Sequence, residues 1–213
     1  MLALLVFALS LARFVHSHPI FPLQIQADVE ITAHLIPPDS DYPPRVRRMK
    51  IFYDYVNKRA RADIEAGYEA EKTYIRLYND KKEYMVRGPP INDCSRAYLG
   101  EKMPFPDLGD SSLEGTIYIR GIFCDHFLQR FYDTTVRFYM DHETGIPVRL
   151  TVLSYDNEGS TEVEVLSYDY FDVEVGEPDA RYFQLPDEYE HSTCANQIGG
   201  FPYLHVFHYF VRF

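Results

Sequence analysis

The most regular feature of this sequence is the alternation of apolar and polar residues over much of its length. The clearest example follows a polar loop at residues 141–145, where Val148, Leu150 and Val152 alternate with polar side chains. Successive residues of a strand point to opposite faces, so this pattern predicts a strand with one buried face. Residues 135–140 are rich in β-branched and aromatic side chains, and two such runs around a short loop that contains glycine are typical of a β-hairpin.

Similar segments recur along the chain with turn residues between them, which predicts an antiparallel meander. Residues 58–74 are rich in Ala, Glu, Lys and Arg and could form a helix, but Gly67 interrupts them and they lack an apolar stripe with helical spacing. Residues 94–112 lose the alternation and contain prolines, so we expect a short helix or a lid-like crossover there. The predicted strands are residues 25–36, 50–56, 59–64, 71–77, 82–87, 116–120, 124–132, 135–140, 146–153, 161–166 and 168–175.

The two ends of the chain differ from this β region. Residues 2–12 form an apolar run that is too short to cross a bilayer, so we predict a signal peptide at residues 1–17 and a protein that is secreted or enters a secretory-route compartment. An extended lead-in at residues 18–26 would precede a β domain at residues 27–194. Residues 195–213 form an apolar tail, which we interpret either as a last strand or as an alternative end of the chain.

Charge and motifs argue against several classes of function. The net charge of −11 disfavours binding to a nucleic-acid backbone, and we interpret the basic residues at 45–50 as the solvated edge of a strand. The sequence lacks the motifs of papain-like and serine nucleophiles, of zinc proteases and of phosphate-binding loops. Cys124 and His126 would share one face of a strand, and residues 141–143 would form a solvated hairpin tip. We interpret both groups as structural, and we expect no enzymatic activity, no cofactor and no metal site.

Four segments resemble ependymin-related and LolA-like secreted domains. They are residues 52–61 (FYDYVNKRAR), 121–127 (GIFCDHF), 138–149 (FYMDHETGIPVR) and 182–186 (YFQLP). A domain of this kind also precedes the protease in some papain-like enzymes of the counting-factor-associated type. The resemblance implies a mainly β fold with at most one or two short helices. Its strongly curved antiparallel sheet would form a half-open LolA-like β-barrel around a hydrophobic hollow.

Such a hollow is suited to an apolar ligand, and the 18 Tyr and 15 Phe of the chain can line it. We therefore predict a secreted, non-enzymatic module that binds a hydrophobic, lipid-like molecule, with no nucleic-acid partner and no membrane span. The alternative is an accessory or folding domain detached from a larger papain-like protease precursor, with no ligand of its own. The candidate ligand-binding residues, or else their neighbours on the opposite face, are Phe138, Met140, Val148, Leu150 and Val152.

Three cysteines in an oxidising compartment allow one disulfide and leave one thiol. Cys94 and Cys194 lie outside the predicted strands, where side chains can turn towards each other, whereas Cys124 lies inside one. In the proteins that the chain resembles, the cysteines at the positions of Cys94 and Cys194 tend to be joined. We therefore predict the disulfide Cys94–Cys194 and a Cys124 that is reduced or paired outside the chain, with Cys124–Cys194 as the alternative.

Overall fold

The computed structural model describes residues 21–41, 43–67, 70–106, 109–130, 134–155 and 161–201. Within these ranges the chain forms twelve strands and one short 3-10 helix, Ala180–Phe183. The Asp179 side chain caps this helix by accepting a hydrogen bond from the Arg181 backbone N–H. The strands are β1 (Gln24–Ala33), β2 (Val46–Asp54), β3 (Arg59–Ala66), β4 (Lys72–Leu77), β5 (Lys82–Arg87), β6 (Asp93–Tyr98), β7 (Ser112–Ile119), β8 (Ile122–Arg130), β9 (Thr134–Asp141), β10 (Pro147–Tyr155), β11 (Glu162–Val175) and β12 (Ala195–Asn196).

All twelve strands belong to one sheet, whose order is β12-β6-β5-β4-β3-β2-β1-β11-β10-β9-β8-β7 and which does not close into a barrel. Strands β1–β6 form one antiparallel meander and β7–β11 form a second. The two meanders meet where β1 pairs with β11, and β12 extends the sheet by pairing parallel to β6. This architecture confirms the prediction of a mainly β, curved antiparallel sheet with at most one or two short helices.

Two strands differ from those predicted from the sequence. β6 forms in a region where the alternation is weak, because its backbone pairs with β5 over the whole length of the strand. β11 is one 14-residue strand, although we predicted separate strands at residues 161–166 and 168–175. The residue between them, Ser167, is buried and pairs with Thr32 and Thr151, so the ladder continues through it. The interpretation of residues 58–74 as strands is confirmed by β3 and β4.

One face of the sheet, here called the inner face, carries the main apolar cluster. In β1, Ile25, Ala27, Val29 and Ile31 are at most 2% exposed, while the residues between them are half-buried. This alternation is the one that the sequence pattern predicts for a sheet with a single buried face. The other members of this inner cluster are Phe21, Met49, Ile51, Tyr53, Ala60, Ala62, Ile64, Tyr74, Tyr78, Leu99, Met103, Phe127, Val136, Phe138, Met140, Leu150, Val152, Tyr168 and Tyr170.

The disulfide Cys94–Cys194 is present, with a Cα–Cα distance of 4.7 Å, which confirms the predicted pairing. One of the reasons given for it is wrong, because Cys94 lies within β6 and not outside the strands. The two half-cystines pack in a small apolar cluster with Ile75, Tyr84 and Val86. Since Cys194 directly precedes β12, the disulfide and the β6–β12 pairing together attach this end of the domain to the sheet.

The predictions for the two ends of the chain fall partly outside the described residues: the signal peptide at 1–17, residues 18–20 of the lead-in and residues 202–213 of the tail. β1 begins at Gln24 and therefore includes the last residues of the predicted lead-in. In the predicted tail, Ala195–Asn196 forms β12. No helix in the described part of the chain is long and apolar enough to cross a membrane.

The two edges of the sheet differ in length and exposure. β12 has two residues, whereas β7 has eight and is exposed over almost all of them. Tyr118 of β7 is 69% exposed, and its ring makes a tilted contact with the ring of Phe123 on the neighbouring β8. β7 lies at the opposite end of the strand order from β6 and β12.

Candidate functional site

Four of the predicted ligand-binding residues are buried in the inner cluster. Phe138, Met140, Leu150 and Val152 are at most 5% exposed. Leu150 pairs with Phe138 across β9 and β10, and Val152 pairs with Val136, so their side chains form a continuous apolar surface. A ligand can reach this surface only if a side chain or segment that covers it moves.

Val148, the fifth predicted residue, lies on the opposite, outer face. It is 3% exposed and packs with Cys124 and Tyr139 in a cluster separate from the inner one. A β-bulge between Pro147 and Arg149 places an extra residue in β10 opposite β9. The bulge interrupts the alternation of side chains, so the sequence pattern assigns Val148 to the wrong face.

The segment between β6 and β7 covers one end of the inner face. Its residues 99–106, here called the covering segment, form no strand or helix. Leu99 and Met103 insert into the inner cluster, and the Tyr53 hydroxyl donates a hydrogen bond to the Pro104 carbonyl. In the region where we expected a short helix or a lid-like crossover, Asp93–Tyr98 forms β6 and the irregular covering segment follows it.

A cleft opens beside the covering segment. Its volume is about 370 Å³, in the lower part of the range of roughly 300–1,000 Å³ that small-molecule sites occupy. Its floor is apolar, because Tyr78, Leu99 and Met103 are also members of the inner cluster. The cleft therefore brings solvent to the margin of the buried apolar face. Its lining residues are Tyr55, Lys58, Tyr78, Asn79, Lys81, Leu99, Gly100, Glu101, Lys102 and Met103.

Two hairpin turns form one wall of the cleft. The β2–β3 turn has the sequence YVNK and the β4–β5 turn has the sequence YNDK, so each begins with tyrosine and ends with lysine. In each turn the lysine N–H donates to the tyrosine carbonyl, at 3.3 Å from Lys58 to Tyr55 and 3.2 Å from Lys81 to Tyr78. The Tyr78 N–H also donates to the Lys58 carbonyl, and the Leu99 N–H to the Lys81 carbonyl, both at 3.0 Å. Backbone hydrogen bonds thus fix both turns and the covering segment relative to one another.

Lys58 and Lys81 both have a left-handed backbone, with φ angles of 57° and 53°. Glycine and asparagine are favoured in this conformation, whereas another side chain costs on the order of 1 kcal/mol. Lysine occupies the equivalent position of both turns. The repeated Tyr-x-x-Lys pattern is visible in the sequence, but the alternation of apolar and polar residues does not single it out.

The cleft is positively charged. Among the described residues, Lys58, Lys81 and Lys102 have no carboxylate partner. Glu101 is the one acidic side chain among the described lining residues, and it lies 2.8 Å from the Arg76 guanidinium. No described carboxylate therefore neutralises the three lysines, in a chain whose net charge is −11. The Lys58 ammonium instead lies over the Tyr55 ring, 2.8 Å from its centroid.

Arg76 attaches the covering segment to the sheet. It is 3% exposed, and its guanidinium lies 2.8 Å from both Glu83 of β5 and Glu101. Burial acts to lower the pKa of Arg76, but the neighbouring Tyr78, Glu83 and Glu101 outweigh it and raise that pKa. Burial raises the pKa of Glu83 in spite of the opposing effect of Arg76. Arg76 is thus a permanent cation that links β4, β5 and the covering segment.

Asp54 holds the β2–β3 turn in place. Its carboxylate is fully buried. It accepts hydrogen bonds from Gln24 Nε2 at 2.9 Å, from the Asn57 N–H at 3.0 Å, from Asn57 Nδ2 at 2.8 Å and from Arg59 Nε at 2.7 Å. Burial acts to raise the pKa of Asp54, but these hydrogen bonds outweigh it and hold the pKa below its ordinary value. The turn that carries Lys58 therefore depends on a buried carboxylate.

Cys124 and His126 share the outer face, as predicted, where they pair with Asp141 and Tyr139. Cys124 is fully buried, and burial raises the pKa of its thiol. Burial and the nearby Arg137 lower the pKa of His126, whose ring stacks on Tyr139 at a centroid distance of 4.9 Å. An activated thiol requires the opposite shifts, which favours a structural role for the pair. Burial also keeps Cys124 from pairing with another folded chain.

The polar hairpin after β9 is held by its own hydrogen bonds. The Asp141 carboxylate accepts hydrogen bonds from the backbone N–H groups of Thr144 and Glu143, both at 2.9 Å, and these bonds lower its pKa. His142 Nδ1 lies 2.8 Å from the Asp125 carboxylate. The polar side chains that could suggest a metal site are therefore engaged in the turn itself.

No family model matches this sequence, and a search of curated proteins found no match. Among solved structures, the fold is similar to that of an uncharacterized conserved protein from Thermus thermophilus. The two chains are 10% identical, the alignment covers 83% of this chain and 91% of the other, and the TM-score is 0.54. This likeness shows the fold alone, an open antiparallel β domain.

Two further structures match less closely. MucB, solved in complex with MucA(peri), is 13% identical over 78% of this chain and 55% of its own, with a TM-score of 0.47. PNGF-II is 6% identical over 82% of this chain and 31% of its own, with a TM-score of 0.36. Membership of the ependymin-related and LolA-like proteins stays a prediction.

Proposed function

We propose that this chain is a non-enzymatic binding module that holds a hydrophobic, lipid-like ligand in the hollow on the inner face of its sheet. The observation that carries the proposal is the continuity between the inner cluster and the cleft. Tyr78, Leu99 and Met103 belong to both, so apolar side chains connect the cleft to the inner cluster. The ion pairs of Arg76 with Glu83 and Glu101 lie beside this connection. The resemblance to ependymin-related and LolA-like domains implies the same class of ligand.

Apolar contact would supply most of the affinity. Burial of about 300 Å² of ligand surface at about 25 cal/mol per Å² gives on the order of 7 kcal/mol, before the cost of immobilising the ligand. Phe138, Met140, Leu150 and Val152 supply part of the deeper surface, and methionine adapts well to an irregular chain. Val148 lies on the outer face and is not part of the proposed hollow.

The ligand would reach the hollow when the covering segment moves. The described contacts of this segment include the hydrogen bond to Pro104, the ion pair of Glu101 and the backbone hydrogen bond of Leu99. A segment without regular secondary structure that is held by a few contacts opens at a lower free energy than the whole domain. The covering segment would then act as a lid.

A secreted location fits this function. The disulfide is typical of proteins in an extracellular or periplasmic compartment, and the predicted signal peptide would account for export. A carrier of hydrophobic molecules outside the cell needs a closed apolar site, because its ligand is poorly soluble in water.

A single tryptophan can report on binding, because the sequence contains none. Phe105 is about half-exposed, and its ring centroid lies 5.0 Å from that of Tyr55 in the cleft wall. Titration of the delipidated Phe105→Trp variant with a fatty acid is expected to give a saturable change in tryptophan emission. The matched control is Tyr118→Trp on the edge strand β7, which does not line the cleft and is 69% exposed, so its emission should not change.

Mass spectrometry of solvent extracts from the untreated protein provides a second readout, in which a co-purified lipid is expected. The proposal is wrong if no fatty acid of any chain length changes the emission and no lipid is extracted. That result would favour an accessory domain without a ligand.

A further inference from the structure

The chemistry of the cleft points to a narrower class of ligand than a hydrophobic molecule in general. We propose that the ligand is an amphiphile with one acidic head group, such as a carboxylate or a phosphate monoester. Lys58, Lys81 and Lys102 bind the head group, while the apolar chain passes over Tyr78 and Met103 into the hollow. This inference rests on the proposed function and adds to it the charge and the position of the head group.

The charge of the cleft favours an acidic head group. The cleft places three lysine side chains around one opening, and its described acidic lining residue, Glu101, already pairs with Arg76. The chain as a whole carries a net charge of −11, so an uncompensated positive cluster runs against its composition. A cleft with low-dielectric walls concentrates such a field, which attracts an anion.

The backbone of the two hairpin turns holds Lys58 and Lys81 side by side. The two lysines that end the hairpin turns occupy left-handed positions, where asparagine or glycine would cause less strain. The hydrogen bond between the Tyr78 N–H and the Lys58 carbonyl holds these turns side by side. The turns thus carry two ammonium groups on a fixed backbone, and that of Lys58 lies over the Tyr55 ring. An oxygen-rich head group can accept hydrogen bonds from both ammonium groups.

The floor of the cleft is apolar and its rim is charged. Leu99 and Met103 in the floor are 3% and 7% exposed, whereas Lys81 and Lys102 at the rim are exposed. A free inorganic anion would leave the apolar floor without a function. A neutral lipid would leave the lysines without one. An acidic amphiphile matches both parts of the cleft.

Binding of four ligands to the Phe105→Trp variant separates these possibilities. Decanoate and decyl phosphate carry an acidic head group, decanol carries the same chain without charge, and inorganic phosphate lacks the chain. We expect both acids to bind at least about tenfold more tightly than decanol at low salt, which corresponds to about 1.4 kcal/mol. Raising the salt concentration from about 50 mM to about 500 mM should weaken the binding of both acids and leave the affinity for decanol unchanged, because salt screens exposed charges. Inorganic phosphate should produce no saturable change.

A triple variant, Lys58→Asn with Lys81→Asn and Lys102→Gln, tests the three lysines directly. Asparagine tolerates the left-handed backbone, so the two turns should keep their conformation. We expect this variant to bind the acids roughly tenfold more weakly, with an unchanged affinity for decanol. Circular dichroism and the melting temperature check that the variant is folded.

The matched control changes the net charge by the same amount at positions that do not line the cleft. It combines Arg48→Gln, Lys50→Gln and Arg181→Gln, whose side chains are ion-paired with acids elsewhere on the sheet and its helix. Its affinity for decanoate should equal that of the parent protein. An equal loss in both triple variants would show an effect of net charge alone and would overturn the assignment of the three lysines.

Failure of the two proposals can be told apart. If none of the chain-bearing ligands binds, the proposed function fails and the head-group inference fails with it. If decanol binds as tightly as decanoate, the hollow remains and the acidic head group is excluded. If inorganic phosphate binds saturably and as tightly as decyl phosphate, the cleft is a simple anion site, and the proposal of an amphiphilic ligand is overturned.

Discussion

Replacement of Asp54 by alanine would remove the buried carboxylate that holds the β2–β3 turn. Four hydrogen bonds would be lost, and one of their donors is the Arg59 guanidinium, whose side chain is only 16% exposed. Removal of one partner from a buried ion pair costs about 3–5 kcal/mol. Arg59 would keep Glu177, at 3.1 Å, so we expect a loss near the lower limit, about 3 kcal/mol. For a chain of this size the melting temperature should fall by roughly 6–12 °C.

Thermal unfolding followed by circular dichroism measures this effect. Asp54→Asn should fall between the wild type and Asp54→Ala, because the amide keeps one acceptor oxygen but directs an N–H group at another donor. Asp39→Ala is the control, since Asp39 is exposed in a surface turn, and its free energy of unfolding should change by less than about 0.5 kcal/mol.

The pH dependence gives an independent test. The pKa of Asp54 in the folded protein is lower than its ordinary value of 3.8, so its ionised form stabilises the fold at every pH above that value. The stabilisation is lost as the pH falls below 3.8 towards the folded pKa. The difference in stability between the wild type and Asp54→Asn should therefore be constant at neutral pH and shrink in this acidic range. A melting temperature of Asp54→Ala within about 2 °C of the wild type, or a difference from Asp54→Asn that persists unchanged in acid, would refute the reasoning.

Three further predictions concern other parts of the fold. The double variant Cys94→Ala with Cys194→Ala opens a loop with a sequence separation of 100, so its free energy of unfolding should fall by about 4–5 kcal/mol. Unfolding in denaturant measures this loss, and an unchanged midpoint of the denaturant transition would contradict it. The thiol of Cys124 is buried and has a raised pKa, so a thiol reagent should label it only after unfolding, and rapid labelling of the native protein would show that it is accessible. Gly67→Ala should destabilise the protein by about 2 kcal/mol, because φ is +116° and the new Cβ would lie 2.9 Å from Arg47 Cγ. The control Gly121→Ala, with φ of +81° and open space around it, should cost about 1 kcal/mol. Equal losses of stability in the two variants would rule out the contact with Arg47 as the cause.

The alternation of side chains predicted the fold well wherever a strand has one buried face. β1 is the best example, and the turns at the ends of β2 and β4 were also placed correctly from their polar residues. β6 was missed because its sequence is short and polar, and its strand conformation depends on pairing with β5. β11 was divided in two because Ser167 breaks the apolar pattern, although pairing on both sides keeps the strand continuous.

The candidate site was only partly predictable. Phe138, Met140, Leu150 and Val152 follow from the alternation, and all four lie in the inner cluster. Val148 does not, because a β-bulge depends on the pairing between two strands and leaves no reliable trace in one of them. The sequence allowed a crossover in the region of the covering segment, but it could not show which residues insert into the inner face, since that segment has no periodic pattern.

The cleft lysines form an intermediate case. In a meander the β2–β3 and β4–β5 turns lie at the same end of the sheet, so a closer comparison of YVNK with YNDK would have brought Lys58 and Lys81 together. The burial of Leu99 and Met103 next to these lysines could be recognised only in the structure, because it depends on how an irregular segment folds back over the sheet.

The meeting of the two meanders at β1 and β11 has a consequence for how the chain folds. Within each meander every strand pairs with its neighbour in sequence, so each half of the sheet can assemble from local hairpins. The β1–β11 seam instead joins residues as distant as Ile25 and Val175, and closing so large a loop is slow. The seam is therefore expected to form last and to set the folding rate. A chain cut within the covering segment should stay together as two complementary fragments, because the seam, β12 and the disulfide all connect one half to the other.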